Sequence, residues 1–146
     1  MKQLGTVLSI LLLFTFSAVA QHHEHRKHHA HKAHVHGTAK LSIAFDGAGG
    51  EIEFESPSES IYGFEHEPKT DADKKAQQEA LTKLESDIAK MVGFAKDLGC
   101  MIVKQKIEVA YEEDKKHSEV EATYKVTCTK SPADSTITFN LQKSFP

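Results

Sequence analysis

Along residues 41–45, Leu41, Ile43 and Phe45 alternate with Ser42 and Ala44, the period of two that a half-buried strand requires. Asp46-Gly47-Ala48-Gly49-Gly50 follows, a run of residues suited to turns, and beyond it Ile52 and Phe54 alternate with Glu51, Glu53 and Glu55. Residues 38–55 are therefore expected to form a hairpin with one acidic, solvated face, and the row of carboxylates reads as a wet outer surface rather than a metal site. Ser56-Pro57 resembles a cap followed by a first helical position, opening a short turn through Ile61, Tyr62 and Phe64 that Glu65-His66-Glu67-Pro68 closes. From Thr70, paired with Asp73 as a capping box, the period changes. Leu81, Leu84, Ile88, Met91, Val92, Ala95 and Leu98 recur at intervals of three and four, which predicts one long amphipathic helix stopped at Gly99 and bent or weakened at Gly93.

The remainder reads as strands. Residues 102–111 and 118–128 flank a polar loop, Glu112 to His117, and should pair antiparallel. If Val103, Ile107 and Val109 share a face with Val120, Ala122 and Tyr124, Lys106 stands opposite Glu121. Cys100 and Cys128 then fall one residue out of step. Joining them requires either a one-residue bulge or a Cys100 placed in the turn after Gly99. A last strand is expected through Ile137, Phe139 and Leu141. The fold class is α+β: an antiparallel sheet of about five strands, two hairpins and a C-terminal strand, covered by one long helix.

Two segments stand outside this domain of residues 37–146. Lys2 precedes an apolar run from Val7 to Phe16 and then Ala18-Val19-Ala20, the small-x-small pattern of a cleavable secretory signal over residues 1–20. No later run approaches the length of a membrane span, so membrane insertion is not expected after cleavage. Residues 21–36 carry almost no apolar side chains and no periodicity, which predicts a disordered arm.

Export also bears on the two cysteines. In an oxidising compartment a single pair favours a Cys100–Cys128 disulfide over a reactive thiol or a thiolate metal ligand.

Charge is nearly balanced, 18 basic against 21 acidic side chains, and the cations are spread along the chain without a basic stripe, so nucleic acid is not an expected partner. Histidine is what changes the picture. Of ten, His22, His23, His25, His28, His29, His31, His34 and His36 lie in the arm. Neutral imidazole is the commonest side-chain ligand for zinc, copper and nickel, and a pliant backbone can gather several rings about one ion. Zn2+ is the expected metal, with Cu2+ and Ni2+ also suited to such donors. Because the arm must be ordered on binding, capture and hand-over suit it better than storage.

The two remaining histidines lie in the domain. His66 sits between Glu65 and Glu67 before Pro68, and His117 ends the loop that carries Glu112, Glu113 and Asp114. Glu65, His66 and His117 are candidate ligands, and a mixed His/carboxylate site is available if that loop and the arm's root at His34 and His36 share one end of the domain. A solubilising or acid-responsive arm on a non-catalytic envelope interaction domain is the alternative. No zincin helix, nucleophile elbow, phosphate loop or dinucleotide fingerprint is present, so an enzyme is not expected.

Several of these residues together resemble a family. His34-Val35-His36-Gly37-Thr38-Ala39-Lys40-Leu41, Ser56-Pro57, Gly63-Phe64-Glu65-His66-Glu67-Pro68, Cys100, His117, Tyr124, Cys128 and Ser144-Phe145-Pro146 are similar to the ZrgA-like periplasmic zinc-binding proteins, long described as a domain of unknown function. The resemblance covers nearly the whole chain after the signal. It implies zinc binding in the periplasm of a Gram-negative bacterium, upstream of an importer whose binding protein would receive the metal. Two departures accompany it. Family members commonly carry a second His-rich stretch where this chain has Glu112-Glu113-Asp114-Lys115-Lys116-His117, and they usually continue past the Phe-Pro with further strand. An uncovered sheet edge is accordingly expected here.

Overall fold

The computed structural model of the protein describes residues 37–113, 115–141, 144 and 145. The expected signal and His-rich arm lie outside these residues, as do the eight arm histidines. The elements run β1 (Lys40–Asp46), β2 (Gly49–Pro57), α1 (Glu59–Tyr62), α2 (Asp71–Met91), β3 (Val92–Phe94), a 3-10 turn (Lys96–Leu98), β4 (Met101–Tyr111), β5 (Ser118–Thr127) and β6 (Ile137–Phe139). Among the described residues no helix is long and apolar enough to cross a membrane.

Both predicted hairpins form, and they join into one antiparallel sheet in the order β1-β2-β5-β4. Ile52, Phe54, Val120, Ala122, Tyr124 and Val126 project from one face and are buried, whereas Glu51 and Glu53 on the other are exposed. That alternation is the reason the sheet needs a cover. Helix α2 supplies it through Leu84, Ile88 and Met91, each buried, and burying such side chains contributes roughly 1.5–3 kcal/mol apiece. Helix and sheet are also joined by polar contacts. The Tyr124 hydroxyl donates to the Leu84 carbonyl at 3.1 Å, and Lys104 Nζ reaches Glu85 Oε2 at 2.6 Å. At its start the capping box is complete: Asp73 N–H donates to Thr70 Oγ1 at 3.1 Å and Thr70 N–H to Asp73 Oδ2 at 3.0 Å.

The fold departs from the sequence expectation at four places. Helix α2 ends at Met91, seven residues short of Leu98, and Val92 is already extended at φ −121° and ψ 113°. Val92, Gly93 and Phe94 instead pair with Phe139, Thr138 and Ile137, so the C-terminal strand builds a separate two-stranded sheet and not a fifth strand of the main one. The pairing is close at Gly93, where a Cβ would lie 2.5 Å from Thr138 Oγ1 and that hydroxyl would have to turn away. Gly99, left-handed at φ 56°, stops the 3-10 turn and not the long helix.

Second, of the two ways to bring the cysteines together, the β4–β5 ladder takes the bulge, between Lys104 and Lys106. It shifts register by one residue. Toward the loop, Lys106 faces Thr123 and not Glu121, and Ile107 faces Ala122; on the other side Ile102 faces Val126. Third, Val103 therefore leaves the core face and is 54% exposed. With Met101 opposite Thr127, the next pair outward is Cys100 and Cys128, which are joined as a disulfide. Fourth, Pro57 ends β2, and Ser58, buried beneath Ser118, precedes α1 in its place.

Candidate metal centre

Two loops meet at the end of the sheet where β5 begins. The first follows α1: Gly63 closes the helix in the left-handed region at φ 92° and sends residues 64–68 across the end of the sheet. The second is the β4–β5 turn, closed by Glu112 N–H donating to the His117 carbonyl at 3.0 Å. Ser118 fastens one to the other. Its hydroxyl donates to the Glu65 carbonyl at 2.7 Å, and its own carbonyl accepts from Ser58 N–H at 2.9 Å.

These contacts fix Glu65 with its side chain only 7% exposed, facing the imidazole of His117. Glu65 Oε2 lies 2.6 Å from His117 Nδ1, a distance of a charge-assisted hydrogen bond. The His117 ring is itself 45% exposed, so one side is held by the protein while the rest reaches solvent. Glu67 Oε2 approaches Lys115 Nζ at 3.5 Å, a second tie between the same loops. His66, between the two glutamates in sequence, is exposed. Its ring stacks on Phe64 at 4.7 Å between centroids, and its Nδ1 lies 3.0 Å from the Glu67 carbonyl oxygen. An open cavity of about 610 Å³ lies between the loops, lined by Phe64, His66, Lys69, Lys115 and Lys116 with Glu59, Glu65 and Glu67.

Beneath the loops is a polar brace. Gln77 Nε2 on α2 donates to the hydroxyls of Tyr62, at 3.2 Å, and Tyr111, at 3.1 Å. Burial raises the Tyr111 phenol above its ordinary range, with the Gln77 bond opposing the shift, so the hydroxyl stays protonated. Tyr62 meets Phe64 edge to face at 4.7 Å, which carries the support into the first loop.

Of the candidate ligands in the domain, Glu65 and His117 are in direct contact. His66 is not drawn into a ligand set with them: among the described residues no group of three or more His, Cys, Asp or Glu side chains is close enough to hold a metal ion. The carboxylate that meets His117 comes from far along the chain. Glu112, Glu113 and Asp114 are its neighbours in sequence, but the partner is Glu65, 52 residues earlier, and only the crossing of the first loop over β5 brings it there.

The topology places one further feature at this end. β1 and β5 both run antiparallel to β2, so their starts lie on the same side of the sheet. The main chain thus enters the described domain at Gly37, three residues before β1, and β1 lies two strand spacings or roughly 10 Å from β5, the strand that His117 precedes.

Residues 33–146 match the family described as the ZrgA family zinc uptake protein. The chain belongs to this family. The match begins within the arm, taking in His34 and His36, and runs through both loops and the disulfide. Comparison with curated proteins finds no match. Membership of the ZrgA family ties the chain to zinc uptake, with zinc as cargo, and gives the two imidazoles at this end of the sheet a chemical context.

Proposed function

We propose that this protein is a periplasmic, non-catalytic zinc-binding accessory factor that captures Zn2+ and passes it toward an importer's binding protein. The observation that carries the reading is the convergence at one end of the sheet: His117 is held by a buried glutamate beside the point where the His-rich arm joins the domain. Imidazole with a carboxylate behind it is a common arrangement around bound zinc. The described domain offers too few ligands for the four-coordinate geometry that zinc prefers. The missing donors come from the arm, whose last histidines, His34 and His36, are the nearest in sequence to Gly37. In this arrangement His22, His23, His25, His28, His29 and His31 collect ions loosely. His117, with His66 nearby, gives the metal a defined position from which a partner can take it.

The reading is tested by calorimetric zinc titration at neutral pH on the mature protein, a variant lacking residues 22–36, and His117→Ala. Zinc binding by the mature protein that falls in both variants is the expected result. Absence of binding by the mature protein overturns the reading. Unimpaired growth in zinc-poor medium after deletion of residues 22–36 would favour the envelope interaction domain in its place.

A further inference from the structure

The two histidines of the domain share a detail that neither spacing nor family membership supplies. Each presents Nδ1, and not Nε2, to an oxygen of the same short loop. His117 Nδ1 lies 2.6 Å from the Glu65 carboxylate, and His66 Nδ1 lies 3.0 Å from the Glu67 main-chain carbonyl. A main-chain carbonyl oxygen only accepts, so the contact at His66 calls for a proton on Nδ1, and a carboxylate that accepts at His117 calls for the same. A neutral imidazole has one N–H. With Nδ1 as the donor, the lone pair sits on Nε2.

We infer that residues 65–67 select the tautomer of both domain imidazoles, so that Nε2 is the ligating atom of His117 and of His66. Glu65 is thereby a positioning residue and not itself a ligand. The inference rests on the zinc-binding reading for its consequence, though not for the tautomers themselves. Three observations support the role given to Glu65. Its side chain is almost fully withdrawn from solvent while the His117 ring is half exposed, so the ring and not the carboxylate reaches outward. Its main chain is pinned by Ser118, a residue with no exposed surface, which fixes where the carboxylate can point. The short Glu65–His117 contact occupies the face of Nδ1, which would otherwise compete with Nε2 for the metal. A hydrogen-bonded carboxylate also makes the opposite nitrogen a stronger donor to a cation.

The first test needs no substitution. Isolated neutral imidazoles favour the proton on Nε2, so in 15N-labelled mature protein at neutral pH, long-range 1H–15N correlations should show the reverse form at His117 and His66. Finding Nε2–H at His117 overturns the inference, as does zinc attached through Nδ1. Two variants then separate positioning from ligation. Glu65→Ala should return His117 toward the Nε2–H form and weaken zinc binding by the domain about 10–100-fold, the usual effect of losing such a support. Glu65→Gln, whose amide oxygen still accepts from Nδ1, should recover much of both. If instead Glu65→Gln loses binding as completely as His117→Ala, the carboxylate is a ligand and the inference fails. Nδ1–H at both residues in a protein that binds no zinc would sink the zinc reading while upholding the tautomers.

Discussion

Tyr124 shows how much a single side chain can carry in a domain of this size. It is fully buried between sheet and helix, and its hydroxyl donates to the Leu84 carbonyl of α2. Burial moves the phenol well above its ordinary range, with Glu85 adding to the shift. A raised pKa in the folded state means that the unfolded chain loses this proton first. The stability linked to it is present below the ordinary phenol range, near pH 10, and is lost as pH rises beyond it. Tyr124→Phe should therefore unfold at lower denaturant by about 1 kcal/mol at neutral pH. Its stability should also decline less steeply than the parent's above pH 10, as followed by circular dichroism. At the acid end the sign reverses. Asp73 is held below the usual carboxylate range by the Thr70 N–H and hydroxyl, so its contribution is present above pH 4 and vanishes as pH falls through its lowered value. Thr70→Ala removes one half of that capping box and should cost about 1 kcal/mol of thermal stability near pH 7, with a smaller difference near pH 3.

At the scale of elements, what sequence could foretell depended on how far each decision reaches along the chain. The capping box and both hairpins are local, written in alternation and turn residues, and all of them form. The end of α2 is not local. Val92-Gly93-Phe94 fits a helix by its spacing and a strand by its composition, and the choice is made by Ile137–Phe139, more than forty residues away. The meeting of Glu65 with His117 belongs to the same class. The cysteine pair lies between these cases: parity alone required an irregularity in the ladder or a displaced Cys100, while its location at Gln105 emerged only from the packed strands. Deleting Gln105 should straighten β4 and force a choice between the disulfide and the core placement of Ile107 and Val109. The expected outcome is a marked loss of stability or the appearance of two titratable thiols, scored by denaturation and thiol assay. Reduction of the parent's Cys100–Cys128 bond should itself cost roughly 3 kcal/mol by loop entropy, measured by denaturation with and without reductant.

For the molecule as a whole, the proposed division between a collecting arm and a positioned site has its own signature. Metal that arm histidines bind equally well in folded and unfolded chains cannot raise the domain's unfolding temperature. Metal that engages His117 must do so. At free zinc a hundredfold above the dissociation constant, the domain should gain about 2.7 kcal/mol. His117→Ala should abolish that gain while the arm still binds ions, a contrast that scanning calorimetry beside equilibrium dialysis would reveal.

The β4–β5 ribbon is closed covalently at both ends, by the Cys100–Cys128 disulfide at one and by the turn from Glu112 to His117 at the other. Cys100 and Cys128 close it where β5 finishes, and His117 stands where β5 begins, about 33 Å away along ten residues of strand. Such a ribbon is a belt buckled at the cysteines, a closed ring of chain whose two long sides cannot slide past each other. A local opening of its ladder must close back in the same register, since both ends of the pairing are fixed. Amide protection along β5 should accordingly show no steep decline from Val126 toward Ser118, and unbuckling the belt with reductant should introduce one at the Val126 end, where no turn holds the strands together.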